Sequence, residues 1–85
     1  MSLQNDFESA TRRVQTLGSA PDNATLLALY ALFKQATAGD VSGKQPSRLK
    51  LRERAKYDAW AEKQGMSHDE AKEAYIALVN TLLNA

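Results

Sequence analysis

Eighty-five residues, 44% hydrophobic and 25% charged, make one domain with a modest core, because a chain this short buries only ~60–65% of the surface its unfolded form exposes. The absence of cysteine excludes a disulfide framework and any thiolate metal site, and a formal net charge of +1 excludes a uniformly basic or acidic protein. That balance hides an asymmetry: Lys44 to Lys56 holds six basic residues against one acid, a local charge of +5 that leaves −4 for the remainder, which points to an anionic partner at one place.

The first helix is predicted from about Ser2 or Asn5 to Leu17. Leu3, Phe7, Ala10, Val14 and Leu17 recur at helical period along one stripe. Gly18 reads as its stop, through the left-handed turn that glycine takes without steric cost. A second helix is predicted from Asp22 or Asn23, just after Pro21, to about Ala38, with Gly39 ending it. On a wheel of 3.6 residues per turn, Leu26, Leu29, Leu32, Phe33 and Ala36 share its apolar face. Leu27, Tyr30 and Lys34 form a second stripe beside them. A ring and a lysine one turn apart at a core edge can hold something flat and negatively charged. The plainer reading of the same spacing is that Tyr30 caps the core while Lys34 snorkels into water.

Asp40 to about Leu49 is irregular, with Gly43, Pro46, Ser42 and Ser47 and no periodic pattern. A connection of this length in a small domain is expected to be a crossover, which sets the second and third helices roughly parallel. The third helix is predicted from Ser47–Leu49 to Gln64, with Leu51, Ala55, Asp58 and Ala59 on one side. Arg52, Lys56 and Lys63 share another side, and Trp60 lies one turn beyond Lys56. Gly65 ends it. The last helix begins at Ser67, where Ser67-His68-Asp69-Glu70 has the pattern of a capping box. Its apolar stripe is Ala71, Ala74, Tyr75, Leu78 and Leu82, with Val79 beside it. No segment alternates as a strand does, so the fold class is all-α, a four-helix bundle with a long connection between the second and third helices.

The residues offer no catalytic constellation. Ser67, His68 and Asp69 are triad residue types, but adjacent positions on a helix do not face one another, and capping accounts for them. One histidine cannot form a histidine metal cluster, and Asp69, Glu70 and Glu73 stand in first turns, where the helix dipole favours acids. No metal site and no cofactor are expected. Residues 1 to 20 lack the basic start and apolar run of a secretory leader, and no stretch approaches the ~20 apolar residues that cross a bilayer. The basic window admits three readings: a solvated helical face, a nucleic-acid backbone read by Arg52 and Lys56 with Trp60, and a compact phosphorylated ligand. The acidity of the rest of the chain would repel a long polyanion.

The run Phe33-Lys34-Gln35-Ala36-Thr37-Ala38-Gly39-Asp40 resembles the signature of the acyl-CoA-binding protein family, Tyr-Lys-Gln-Ala-Thr-x-Gly-Asp. Phe7, Pro46, Arg54-Ala55-Lys56-Tyr57-Asp58-Ala59-Trp60 and Ala74-Tyr75 continue the resemblance in register over nearly the whole chain. It implies one acyl-CoA-binding domain over residues 1–85 that holds a long-chain acyl-CoA thioester non-covalently and catalyses nothing. It also implies a cytoplasmic monomer, without stable membrane insertion, that gives its ligand to acyl-CoA-using enzymes and does not bind nucleic acid.

By that resemblance, Tyr30 would flank the adenine and Lys34 and Lys56 would converge on the ribose 3′-phosphate. Arg52 would add charge near the phosphates, Tyr75 would contribute from the last helix, and Leu27 would line the path of the acyl chain. Three positions depart from the family pattern. Phe33 replaces a tyrosine and loses a hydroxyl, at an expected cost of ~1 kcal/mol if nothing substitutes. Gln15 stands where many members have a basic residue, which leaves that ligand contact weaker or uncharged. Tyr57 replaces a common tryptophan and is expected only to trim packing.

Overall fold

The computed structural model describes residues 2–84. Four helices run in chain order: α1 (Leu3–Arg13), α2 (Asn23–Thr37), α3 (Leu51–Ala61) and α4 (His68–Leu83), and among the described residues there is no strand. Three of the helices start on a side-chain cap. Ser2 Oγ accepts from the Asn5 amide at 3.1 Å and Asp22 from the Thr25 amide at 2.8 Å. Ser67 and Glu70 complete the expected capping box, each accepting from the other's amide at 3.0 Å. Each cap satisfies a backbone donor that the helix itself cannot, worth ~0.5–2 kcal/mol.

Three predicted boundaries move: the end of the first helix and both ends of the third. The first helix does not stop at a left-handed Gly18: its regular part ends at Arg13 and a 3-10 turn follows over Val14–Thr16. The chain then leaves in extended form at Leu17, and among the described residues positive φ is found only at Gly39, Gly43 and Gly65. The tightening itself ends the helix, while Thr11, Gln15 and Thr16 side chains donate to the carbonyls of Glu8, Thr11 and Arg13. The third helix begins later than Ser47–Leu49. Ser47 closes a turn instead, its carbonyl accepting from the Lys50 amide at 3.0 Å and its hydroxyl from the Leu49 amide at 3.1 Å. Beyond Ala61, i to i+3 bonds from Lys63 to Trp60 and Gln64 to Ala61 carry the chain to Gly65 at φ 92°.

The helices stand in a flattened row of 39 × 29 × 15 Å, in the order α3, α2, α4, α1. The core is Phe7 and Ala10 of α1, Leu29, Leu32 and Ala36 of α2, and Ala71, Tyr75 and Val79 of α4. Alanines at the crossing points let backbones approach closely. Two polar contacts tie α4 in place: the Arg13 guanidinium donates to Asn80 at 2.9 Å, and His68 Nδ1–H donates to the Ala36 carbonyl at 2.9 Å. Tyr30 lies against Lys56 and Lys34 against Trp60. Residue numbers therefore rise together along α2 and α3, which run parallel as the long crossover requires.

Gln35 is a polar residue buried in the interior, which the helical pattern does not anticipate. Its amide donates to Asp40 and to the Met66 carbonyl, both at 2.8 Å, and Asp40 also accepts from the Gly65 amide at 2.8 Å. These bonds fasten the ends of α2 and α3 to the start of α4. Gly39 turns there at φ 86°, and a Cβ on it would come within 3.3 Å of His68 Nε2.

Three expectations about packing are corrected. Leu51 does not join the packed side of α3 and stays 77% exposed, because the helix starts at that residue, beyond the reach of α2. Leu26 and Phe33 share the apolar face of α2, yet they border an open cleft and remain about two-fifths exposed, at 44% and 40%. Tyr57 does more than trim packing, since its hydroxyl donates to the Gly43 carbonyl at 3.0 Å.

Candidate functional site

The backbones of α1 and α2 stay apart because α4 lies between them at the core. Aromatic rings bridge the gap. Phe7 stacks on Phe33 with centroids 5.9 Å apart, and Tyr75 meets Phe7 edge-on at 5.2 Å and Phe33 at 6.3 Å. Above this aromatic cluster lies a cleft of about 580 Å³, within the usual range for a small-molecule site. Val14 and Gln15 line one wall, Leu17 and Pro21 one end, and Leu26, Tyr30 and Phe33 the other wall, over Leu29 and Tyr75. The lining is mostly apolar. Tyr75 is almost wholly buried, and that burial raises its phenol above the ordinary value, so it stays protonated and able to donate. Among the described residues the Tyr75 hydroxyl makes no hydrogen bond, whereas the fully buried side-chain atom left without a partner is Gln35 Oε1.

Beside the cleft, on the far side of Tyr30, runs the seam between α2 and α3. Lys56 Nζ sits 5.3 Å from the centroid of the Tyr30 ring, and Lys34 Nζ sits 4.8 Å from that of Trp60. Each helix contributes a ring and a lysine four residues apart, in opposite order. Parallel packing therefore sets each ammonium on the ring of the other helix, the two pairs about one turn apart, a ~5 Å rise. Both cations lie on one seam. Trp60 is fixed there by its indole N–H, which donates to the Gly39 carbonyl at 2.7 Å.

The connection from α2 to α3 is held against α3 by several side chains. Gln45 donates to Asp58 at 2.8 Å, Arg54 donates to the Pro46 carbonyl at 3.4 Å, and Arg54 pairs with Asp58 at 3.1 Å. Hydrogen bonding first from Gln45 and then from Arg54 lowers the Asp58 carboxyl below its ordinary range. Asp40 is lowered as well, first by the Gly65 amide and then by Gln35.

The structure thus brings together Tyr30, Phe33, Gln15 and Tyr75 around the cleft, and Lys34 and Lys56 on the seam that Tyr30 borders. Arg52 is exposed on α3, one turn before Lys56. Leu27 is half-buried, three residues before Tyr30, and is not among the residues lining the cleft. Sequence reasoning missed Trp60 as the rest for Lys34, and Val14, Leu26 and Pro21 as walls. The reciprocal i, i+4 spacing of Tyr30–Lys34 and Lys56–Trp60 is the signal that could have found the first. Among the described residues no group of acidic or histidine side chains could hold a metal ion, and no helix is long and apolar enough to cross a membrane.

A family model described as Acyl CoA binding protein matches residues 4–79. An acyl-CoA-binding protein homolog of Manduca sexta is 49% identical over 84 residues, covering 98% of this chain and 93% of that protein. An acyl-CoA-binding protein of Brassica napus is 46% identical over 85 residues, covering 100% of this chain and 92% of that protein. The crystal structure of Oryza sativa acyl-CoA-binding protein 2 superimposes with a TM-score of 0.93 at 40% identity, covering 98% of this chain and 92% of that one.

Proposed function

The chain belongs to the acyl-CoA-binding protein family, and from that premise we propose that the cleft and the adjoining cation seam together form one site for a long-chain acyl-CoA ester. The ligand is held non-covalently, buffered and carried; nothing is catalysed. The observation that carries this reading is the position of Tyr30, which lines the apolar cleft and lies beneath the Lys56 ammonium. A single ring thus joins a surface for an alkyl chain to a surface for a phosphorylated nucleotide.

The chemistry of the ligand fits the parts. Coenzyme A brings a planar adenine, several phosphates and a flexible arm ending in the thioester. Tyr30 offers the adenine a face, while Lys34 and Lys56 move from their aromatic rests onto the ribose 3′-phosphate, with Arg52 adding charge from one turn earlier on α3. A charge-assisted hydrogen bond is worth ~1.5–3 kcal/mol, so two such lysines anchor the headgroup. The acyl chain lies in the cleft over the Phe7–Phe33–Tyr75 cluster. Each methylene buried there adds up to ~0.8 kcal/mol, so affinity rises with chain length until the cleft is filled. The Tyr75 hydroxyl supplies a donor at the floor. Gln15 offers a neutral amide to the same cleft, and Leu27 supports Tyr30 from the preceding turn rather than lining the wall. Shielding thioester and tail from water while passing them to acyl-CoA-using enzymes is the cellular role this implies, for a monomer in the cytoplasm.

Isothermal titration with palmitoyl-CoA, free CoA and palmitate tests the reading. Sub-micromolar binding of the thioester, with much weaker binding of either half, is the expected result. Equal and weak binding of all three overturns it.

A further inference from the structure

We propose that the turn leading into α3 is a docking surface for anionic lipid membranes. Among the described residues four large apolar side chains are exposed. Leu26 and Phe33 border the cleft, which accounts for them. Leu49 and Leu51 do not: they are 92% and 77% exposed, the highest values among these four. The Ser47–Lys50 turn, closed by the two bonds to Ser47, holds Leu49 at its tip. Two leucines held in water by an ordered turn cost solubility and contribute nothing to the core, so packing does not explain them.

Their surroundings are cationic. Lys44, Arg48, Lys50 and Arg52 fall between Val41 and Arg52 without a single acid. Their side chains make no ion pair or hydrogen bond with a described residue, in contrast to Arg54, which is engaged by Asp58 and Pro46. The fold therefore leaves the charge of this turn free for a partner. Beside it is a shallow hollow of about 480 Å³, lined by Lys44, Gln45, Pro46, Ser47, Lys50 and Glu53, roomy enough for a headgroup.

The order Arg48-Leu49-Lys50-Leu51-Arg52 selects among anionic partners. A nucleic-acid backbone would satisfy the cations and leave both leucines in water. A protein groove that takes an apolar helix face requires side chains gathered at i, i+3 and i+4, which interleaved leucines do not supply. A bilayer surface has no fixed shape: leucines enter the boundary between headgroups and acyl chains while flanking cations meet lipid phosphates and carboxylates. The contact is peripheral, with no spanning segment, and stands apart from the apolar cleft; Arg52 is the one residue it shares with the proposed ligand site.

Flotation of the whole protein with vesicles tests this. Vesicles of phosphatidylcholine containing about 30% phosphatidylserine are expected to bind the protein, and phosphatidylcholine alone is not, with binding falling as salt rises. Lys50→Glu changes two charge units, and at about five-fold per charge it is expected to weaken binding about 25-fold. The Leu49→Ser, Leu51→Ser double variant is expected to lose about ten-fold or more at unchanged charge. Because both leucines are exposed, that variant should keep its far-UV circular dichroism and thermal midpoint. No binding to the phosphatidylserine vesicles at low salt overturns the proposal. So does full binding by the double leucine variant, or a single-stranded oligonucleotide that binds the protein more tightly than those vesicles do.

Discussion

Helix α1 joins the molecule through Phe7 and Ala10, both buried against α4, and the Phe7 ring completes a cluster with Phe33 and Tyr75. Helix α3, at the opposite edge of the row, buries only Trp60. It is held instead by polar bonds from Gln45, Arg54, Tyr57 and Trp60 that strap the preceding connection onto it. One edge is attached by burial, which is insensitive to pH and salt. The other is attached by directional bonds, each worth ~0.5–1.5 kcal/mol and each sensitive to a single atom. The lysine on α3 belongs to the second kind of edge, while the apolar cleft belongs to the first. Positioning the cations over rings is thus a task for the less deeply packed half.

Trp60→Ala tests this contrast most severely. It removes the one buried anchor of α3, the bond to Gly39 and the rest for Lys34. A loss of ~3–5 kcal/mol is expected in denaturant unfolding. A loss under ~1 kcal/mol would show that the polar strap alone holds α3. Next in size, Lys34→Ala and Lys56→Ala should each weaken palmitoyl-CoA binding by ~1.5–3 kcal/mol in calorimetric titration. The same substitutions should lower stability by less than ~1 kcal/mol, since each removes a cation–π contact at an accessible seam. Unchanged affinity in either variant removes that lysine from the site.

Tyr57→Phe deletes only the hydroxyl that holds Gly43 and should cost ~0.5–1.5 kcal/mol in the same unfolding measurement. No change would mean that water replaces the bond without loss. The smallest effect is expected from acid. Asp40 and Asp58 are both held below their ordinary value of 3.8 by bonds made only in the folded protein. Their contribution is complete above that value and disappears as pH falls through the lower, folded one. Trp60 is the only tryptophan, so its fluorescence reports the α3 edge. That signal should change at higher pH than far-UV circular dichroism does in an acid titration. Coincident transitions would show that the two edges open together.

The elements that periodicity made legible were those whose residues face a continuous core. The stripe of α4, the Ser67–Glu70 box and the Gly39 and Gly65 stops could be read directly, because each depends on neighbours within a turn or two. Leu51 and Gly18 were misjudged for a common reason. A letter's propensity says what a position can do, and the boundary of the neighbouring element decides whether it is asked to. Gln35 illustrates the same gap from the other side. Nothing in its spacing predicts burial, and it is buried because Asp40 and Met66 arrive from separate turns to receive its amide protons.

By itself the sequence determined that the chain is helical, where most helices begin and end, that positive charge concentrates in one window, and which family motif it carries. These follow from local sterics, capping and composition, which are settled within a few residues. Tertiary structure alone decided that Lys34 and Lys56 share a seam, that Tyr30 serves both seam and cleft, and that Leu49 and Leu51 stand in water. Each of these depends on which helices touch and which are kept apart, and α4 settles that by packing between α1 and α2.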